Sequence, residues 1–314
     1  MTSILTLRRH GDLFTRASQT EQENGTATTA KAHEAPCLQR FEDLPVWYQD
    51  NPCVLSGYRP VSHSTPTCFY SWAFLHNETV NIYTHLIPAI LSIFAQIALQ
   101  VIISNHFPQA SFQDRLVFSL NLLAVTIALL LSSMYHTLLN HSFHVSSLWL
   151  RIDYAGILTL TLGSFFSGIY VGFYREPKLR WVYWFMIITL STLTAILVIH
   201  PRLQGLSYRG FRTAAFVATG LSGFVPVGHG LWMYGWEEMW IRSGMPFWFL
   251  EGFIYGVGAF FFTTRIPESV WPGKFDVWGS SHQIFHVLVV VAGVVHLAGV
   301  WDSYKWSYYR YVHS

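Results

Sequence analysis

His282 and His286 stand four residues apart in an apolar stretch near the C-terminus. On a helix, positions i and i+4 share a face, so the two imidazoles project side by side. That is how two His of an HExxH helix hold one metal ion, although the Glu of that motif is missing here. His136, in a different apolar stretch, offers a third nitrogen, with Ser132 one turn before it and Asp153 opening the next stretch. Three protein ligands with a fourth position open to water is the pattern of a catalytic zinc site. Beside such a site Asp153 suits either of two roles, orienting a ligand or taking a proton from the water. The His pair alone is a weak signal, because His at this spacing is often polar packing. The weight comes from the setting, since each ionisable group inside a bilayer is expensive and functional by default.

Helices position these residues. The chain has 314 residues, 52% hydrophobic and only 11% charged, with 17% aromatics and 13 Trp. An ordinary soluble domain is roughly 25% charged. Seven apolar runs are long enough to cross a hydrocarbon core, at 82–104, 115–139, 149–173, 180–200, 211–235, 247–265 and 281–303. The loops between them are short and hold the prolines, and only helices satisfy their own backbone in lipid. The expected fold is therefore all-α, a seven-transmembrane helix bundle over residues 82–303. Pro88 and Pro226 should kink the spans that contain them. Alternation of direction places the end of span two, the start of span three and the start of span seven on one side. His136, Ser132, Asp153, His282 and His286 then lie within about two turns, ~10 Å, of one surface. The approach to span one, with His76, Asn77, Glu78, Asn81 and His85, lies there too.

Other polar residues in the spans take plainer readings. His85, His229 and His296 are expected as hydrogen-bonding groups between helices. Glu251 is expected to reach water from near an interface, and Gly252, Gly256 and Gly258 to serve close helix packing. Residues 1–40 read as a disordered cytosolic tail, 41–81 as a cytosolic juxtamembrane segment, and 304–314 as an extracellular or interfacial tail. The stretch Phe41–Tyr48 suits either a short helix or an extended segment. Three Cys without a CxxC, namely Cys37, Cys53 and Cys68, indicate free thiols rather than a disulfide framework. A net charge of +2 excludes a nucleic-acid-binding field. No cleavable signal peptide is evident. The Lys/Arg distribution favours a cytosolic N-terminus chiefly through the N-terminal region, with the loops nearly balanced. In that orientation the sequons at Asn24, Asn77 and Asn140 face the cytosol and stay unmodified.

The blocks that carry these residues resemble a known family. His76-Asn77-Glu78-Thr79-Val80-Asn81-Ile82-Tyr83-Thr84-His85 is similar to the opening signature of the progestin and adiponectin receptor family, which includes haemolysin III-like proteins. Ser132-Ser133-Met134-Tyr135-His136-Thr137 with Asp153-Tyr154-Ala155-Gly156-Ile157 resembles its second block. Pro267-Glu268, Pro272-Gly273-Lys274-Phe275-Asp276 and Ser281-His282-Gln283-Ile284-Phe285-His286 resemble its third. The match runs from about residue 40 to the end, and chain size and N-terminal extension look most like the fungal members. The resemblance implies seven helices with a cytosolic N-terminus, and zinc (Zn2+) held by His136, His282 and His286. It implies Asp153 holding the metal-bound water, with Ser132 beside it. The wider superfamily includes alkaline ceramidases, which implies hydrolysis of a lipid amide.

Three functions follow as expectations. In the first, a zinc-dependent amidohydrolase cleaves a ceramide-like lipid within the membrane, in the plasma membrane or endoplasmic reticulum. In the second, a receptor for an extracellular ligand uses zinc structurally, to tie helices two and seven. The third, zinc transport or sensing, is weaker, because the polar cluster lies at one end only.

Overall fold

The computed structural model describes residues 37–204 and 206–312; the tail expected over residues 1–40 falls almost wholly outside this range, as does the sequon at Asn24. After two short 3-10 turns at Phe41–Asp43 and Val46–Tyr48, the order is α1 (Thr65–Tyr70), α2 (Thr79–His106), α3 (Phe112–Leu138), α4 (Phe143–Gly172) and α5 (Pro177–Ile199). Then come α6 (Arg209–Leu221), α7 (Phe224–Arg242), α8 (Met245–Thr264) and α9 (Ser281–Tyr311). With α6 and α7 counted together, seven helices are long and apolar enough to cross a membrane. This is an integral membrane protein built as an all-α seven-helix bundle. Its outer surface carries apolar side chains such as Leu91, Phe94, Ile97, Trp181 and Phe185, suited to lipid rather than water.

Local chemistry explains the helix ends. Ser111 and Asp114 form a reciprocal capping box at the start of α3, and the same Asp114 accepts a 2.7 Å bond from Tyr170 near the end of α4. Ser280 and Gln283 cap α9 in the same way. Pro177 and Pro246 stand in the first turns of α5 and α8, where a missing N–H is harmless. Gly163 lets α4 press against α3, since a Cβ there would lie 2.4 Å from that of Ala124.

The observed helices outrun the expected spans at most ends, because polar and interfacial residues weigh little in hydropathy yet continue a helix. The largest extension is α9, which carries residues 304–311 as helix, with Tyr304 and Tyr308 buried against Phe107. The fifth span is not one rod. It breaks at Ser222–Gly223, so Pro226 stands in the first turn of α7 rather than kinking a continuous helix. A second interruption follows at Gly235, at φ 75° and ψ 174°, a conformation open to glycine.

The N-terminal side of the bundle is closed by the juxtamembrane segment, which folds over its own small core of Leu44, Tyr48, Val54 and Tyr58. It is pinned to the α8–α9 loop. Leu55 N and Ser56 Oγ donate to Asp276, and Asn51 donates to Glu268. Glu268, fully buried, also accepts from the backbone and hydroxyl of Ser281 at the start of α9. Between α4, α6–α7, α8 and α9 lies a cavity of about 2390 Å³, well beyond the ~300–1,000 Å³ of a drug-sized pocket.

Candidate functional site

The three expected His meet. His136 lies in the last turn of α3 and His282 and His286 in the first turns of α9. Nε2 of His282 is 3.3 Å from Nε2 of His136 and 3.1 Å from Nε2 of His286. One ligand atom from each of the three lies within 4.8 Å of the others.

The far sides of two rings fix their tautomers. His136 Nδ1 stands 2.7 Å from Glu78 Oε2, and His286 Nδ1 stands 3.1 Å from the Asn81 carbonyl. A carbonyl can only accept, as can an ionised carboxylate, so each Nδ1 carries the proton. Each neutral ring then presents a bare Nε2 lone pair inward. Lone pairs converging in a buried site repel unless a proton or a cation lies among them. Nitrogens ~2.0–2.1 Å from one ion at tetrahedral angles stand roughly 3.3 Å apart. The donor set therefore fits a metal ion, and the trio could hold one.

Glu78 makes this arrangement possible. It stands at the N-cap of α2, where Oε2 accepts from both Asn81 Nδ2 at 2.6 Å and His136. Burial works against its charge, but the hydrogen bonds from the His136 ring and the Asn81 amide outweigh it and hold its pKa below the usual carboxylate range. Arg59 holds His136 from the other direction. Only 1% exposed, it donates to the main-chain carbonyls of His136 at 2.6 Å and Thr137 at 3.0 Å, and to Ser71 Oγ. A cation at a helix C-terminus satisfies carbonyls that lack intrahelical partners. Sequence reasoning gave Glu78 no orienting role and overlooked Arg59, since a charged residue outside an apolar run raises no flag.

Asp153 and Ser132 line the cavity beside the trio. Asp153 makes no hydrogen bond to the three rings; Glu78 takes that place at His136. His85, expected as a plain helix–helix contact, stacks on His286 with ring centroids 3.8 Å apart and donates to its carbonyl.

Three other readings meet the structure differently. His229 bonds Tyr183 and His296 bonds Ser167, both between helices as expected. Glu251 does not reach water. It is buried and bonded at 2.8 Å to His296 Nδ1, because α8 begins at Met245 and carries it two turns inward. Of the three glycines of α8, only Gly258 packs closely, against Phe285. A Cβ on Gly252 or Gly256 would meet nothing within 4 Å, since both line the cavity. Asn77 and Asn140 are buried, and Asn140 donates to the Pro60 carbonyl, so neither sequon can report on sidedness. The three Cys are free, as expected.

Comparison with known proteins accounts for the shared blocks. A family model described as haemolysin-III related matches residues 73–297. The chain belongs to the haemolysin-III related family. Among family relatives, ADIPOR-like receptor IZH2 of Saccharomyces cerevisiae is 35% identical over 268 residues, covering 85% of this chain and 84% of the relative. The adiponectin receptor protein of Drosophila melanogaster is 35% identical over 87% of this chain and 60% of its own length. Progestin and adipoQ receptor-like protein 1 of Caenorhabditis elegans is 35% identical over 89% and 64%. The haemolysin-III related match takes in all five expected site residues as well as Glu78; Arg59 lies ahead of it.

Proposed function

We propose that His136, His282 and His286 hold a zinc ion and that the site hydrolyses the amide of a ceramide-like membrane lipid. One observation carries this reading: three Nε2 atoms converge at a cavity long and apolar enough for a lipid chain, with a carboxylate beside them. Zinc bound there would supply Lewis acidity, polarising a carbonyl and acidifying a water. Asp153 takes the proton from the attacking water and returns it to the leaving amine. Ser132, beside Asp153 in the cavity wall, offers its hydroxyl toward the developing oxyanion. Glu78 and the Asn81 carbonyl keep the His136 and His286 rings turned. The acyl chain lies in the cavity, where Ile157, Leu160 and Val289 exclude water. The products are a fatty acid and a sphingoid base.

A second reading makes zinc purely structural in a receptor for an extracellular ligand. Two observations favour it: the trio ties α3 to α9, and relatives carry receptor names. The test is fatty acid release from a ceramide by purified, zinc-loaded protein, followed by mass spectrometry, with Asp153→Asn in parallel. Release by the wild type and not by the variant supports hydrolysis. No release by folded, zinc-loaded protein moves the weight to the receptor. In either case the N-terminal segment and the trio occupy the cytosolic side, as the basic N-terminal region favours.

A further inference from the structure

A second polar group lines the same cavity nearer the middle of the bundle. His296 Nδ1 bonds Glu251 Oε2 at 2.8 Å, and its Nε2 bonds Ser167 Oγ at 2.9 Å. Ser167 also accepts from Asn121 at 3.2 Å and donates to the Gly163 carbonyl. Ser167 is completely buried and does not line the cavity, whereas Glu251 and His296 do. The Ser–His–Glu chain is therefore closed at its serine end, which rules out a nucleophile, and open at its carboxylate end. Among the described residues only Oε2 of Glu251 is hydrogen-bonded, which leaves Oε1 free toward the cavity, although the residue is only 7% exposed. A Cβ on Gly252 would meet nothing within 4 Å, and one on Gly168 would just touch His296 Cε1 at 3.9 Å. Small residues thus leave room beside the pair.

An acceptor left without a donor in apolar surroundings is costly, and this one borders a cavity lined mostly by apolar side chains. The shared proton makes Glu251 and His296 neutral together or a compensated ion pair. An ammonium would add an unbalanced buried charge; a hydroxyl adds none and supplies the missing donor. His286 and His296 are ten residues apart on α9, which places the pair ~15 Å from the trio. With carbon–carbon bonds of about 1.52 Å, an extended chain covers that distance in roughly a dozen bonds.

We infer that Glu251 and His296 form a subsite for a hydroxyl group on the acyl chain of the lipid, about a dozen carbons from the head held at the trio. The subsite selects hydroxylated over plain chains. It rests on the reading above only in placing the lipid's polar head at the three His.

The test is binding, not turnover. Wild-type protein in nanodiscs is titrated with octadecanoic acid and with its hydroxy derivatives bearing the hydroxyl near the carboxyl, two-thirds along the chain, and at the end. Bound fraction is read by native mass spectrometry. The expected result is a preference of about tenfold or more for the intermediate position, the worth of one hydrogen bond to a charged group. In Glu251→Leu that preference should vanish while octadecanoic acid binds as before. A flat positional profile in the wild type overturns the inference, and this arm needs no variant to fold. Ceramide hydrolysis measured on the same protein separates the two ideas. Hydrolysis with a flat profile removes the subsite and leaves the hydrolase. A peaked profile without hydrolysis keeps the subsite and removes the hydrolase.

Discussion

Two His–Glu pairs of nearly equal length sit at different depths of this bundle, His136–Glu78 at 2.7 Å near one face and His296–Glu251 at 2.8 Å near the middle. What differs is the other ring nitrogen. In His136 it points at a second imidazole; in His296 it ends on a serine hydroxyl. A carboxylate behind a His is therefore no sign of a metal site by itself. The environment of Nε2 decides, and that environment comes from which helix end lies opposite.

Metal content should separate the two pairs most strongly. The His282→Ala/His286→Ala variant should lose its zinc completely and melt lower in detergent, through loss of metal linkage, whereas His296→Ala should keep full zinc by elemental analysis. Unchanged zinc and melting in the double variant would remove the proposed metal site. Next, Asp153→Asn should retain zinc and lose about 10²–10⁴-fold in lipid hydrolysis; full activity in that folded variant would remove Asp153 as the base. Glu78→Gln should weaken zinc affinity by about 10–100-fold in a competition titration with a chelator, because Gln can present its amide N–H to the ring and lose the tautomer. An equal loss from Glu251→Gln would erase the distinction between the pairs. Smallest, Glu251→Gln should cost about 1–3 kcal/mol of stability, seen as a lower melting temperature at constant zinc.

The apolar runs made the seven spans legible, and the expense of charge in lipid made the trio and Asp153 stand out. The same reasoning was blind outside those runs. Glu78 and Arg59 hold His136 from segments where charged residues are ordinary, and nothing in their spacing announces it. Glu251 was misread because the hydropathic window opened at 247 while the helix starts at Met245, which moves a residue from interface to interior. The break in the fifth span was hidden because Gly and Pro are frequent in membrane helices. Gly252 and Gly256 followed a packing pattern, yet they border space, and only the neighbouring helix decides which.

The Arg59 contact ties the trio to protein outside the bundle. The guanidinium that grips the His136 carbonyl belongs to the same strap that hooks Glu268 through Asn51. For protein engineering, this divides the N-terminal region sharply. A fluorescent reporter fused ahead of Cys37 leaves the strap intact, while a tag inserted between Asn51 and Arg59 slackens the hold on His136, many residues away. Replacing the strap up to residue 64 with a soluble fusion partner would remove the Arg59 grip on His136 and loosen the His trio.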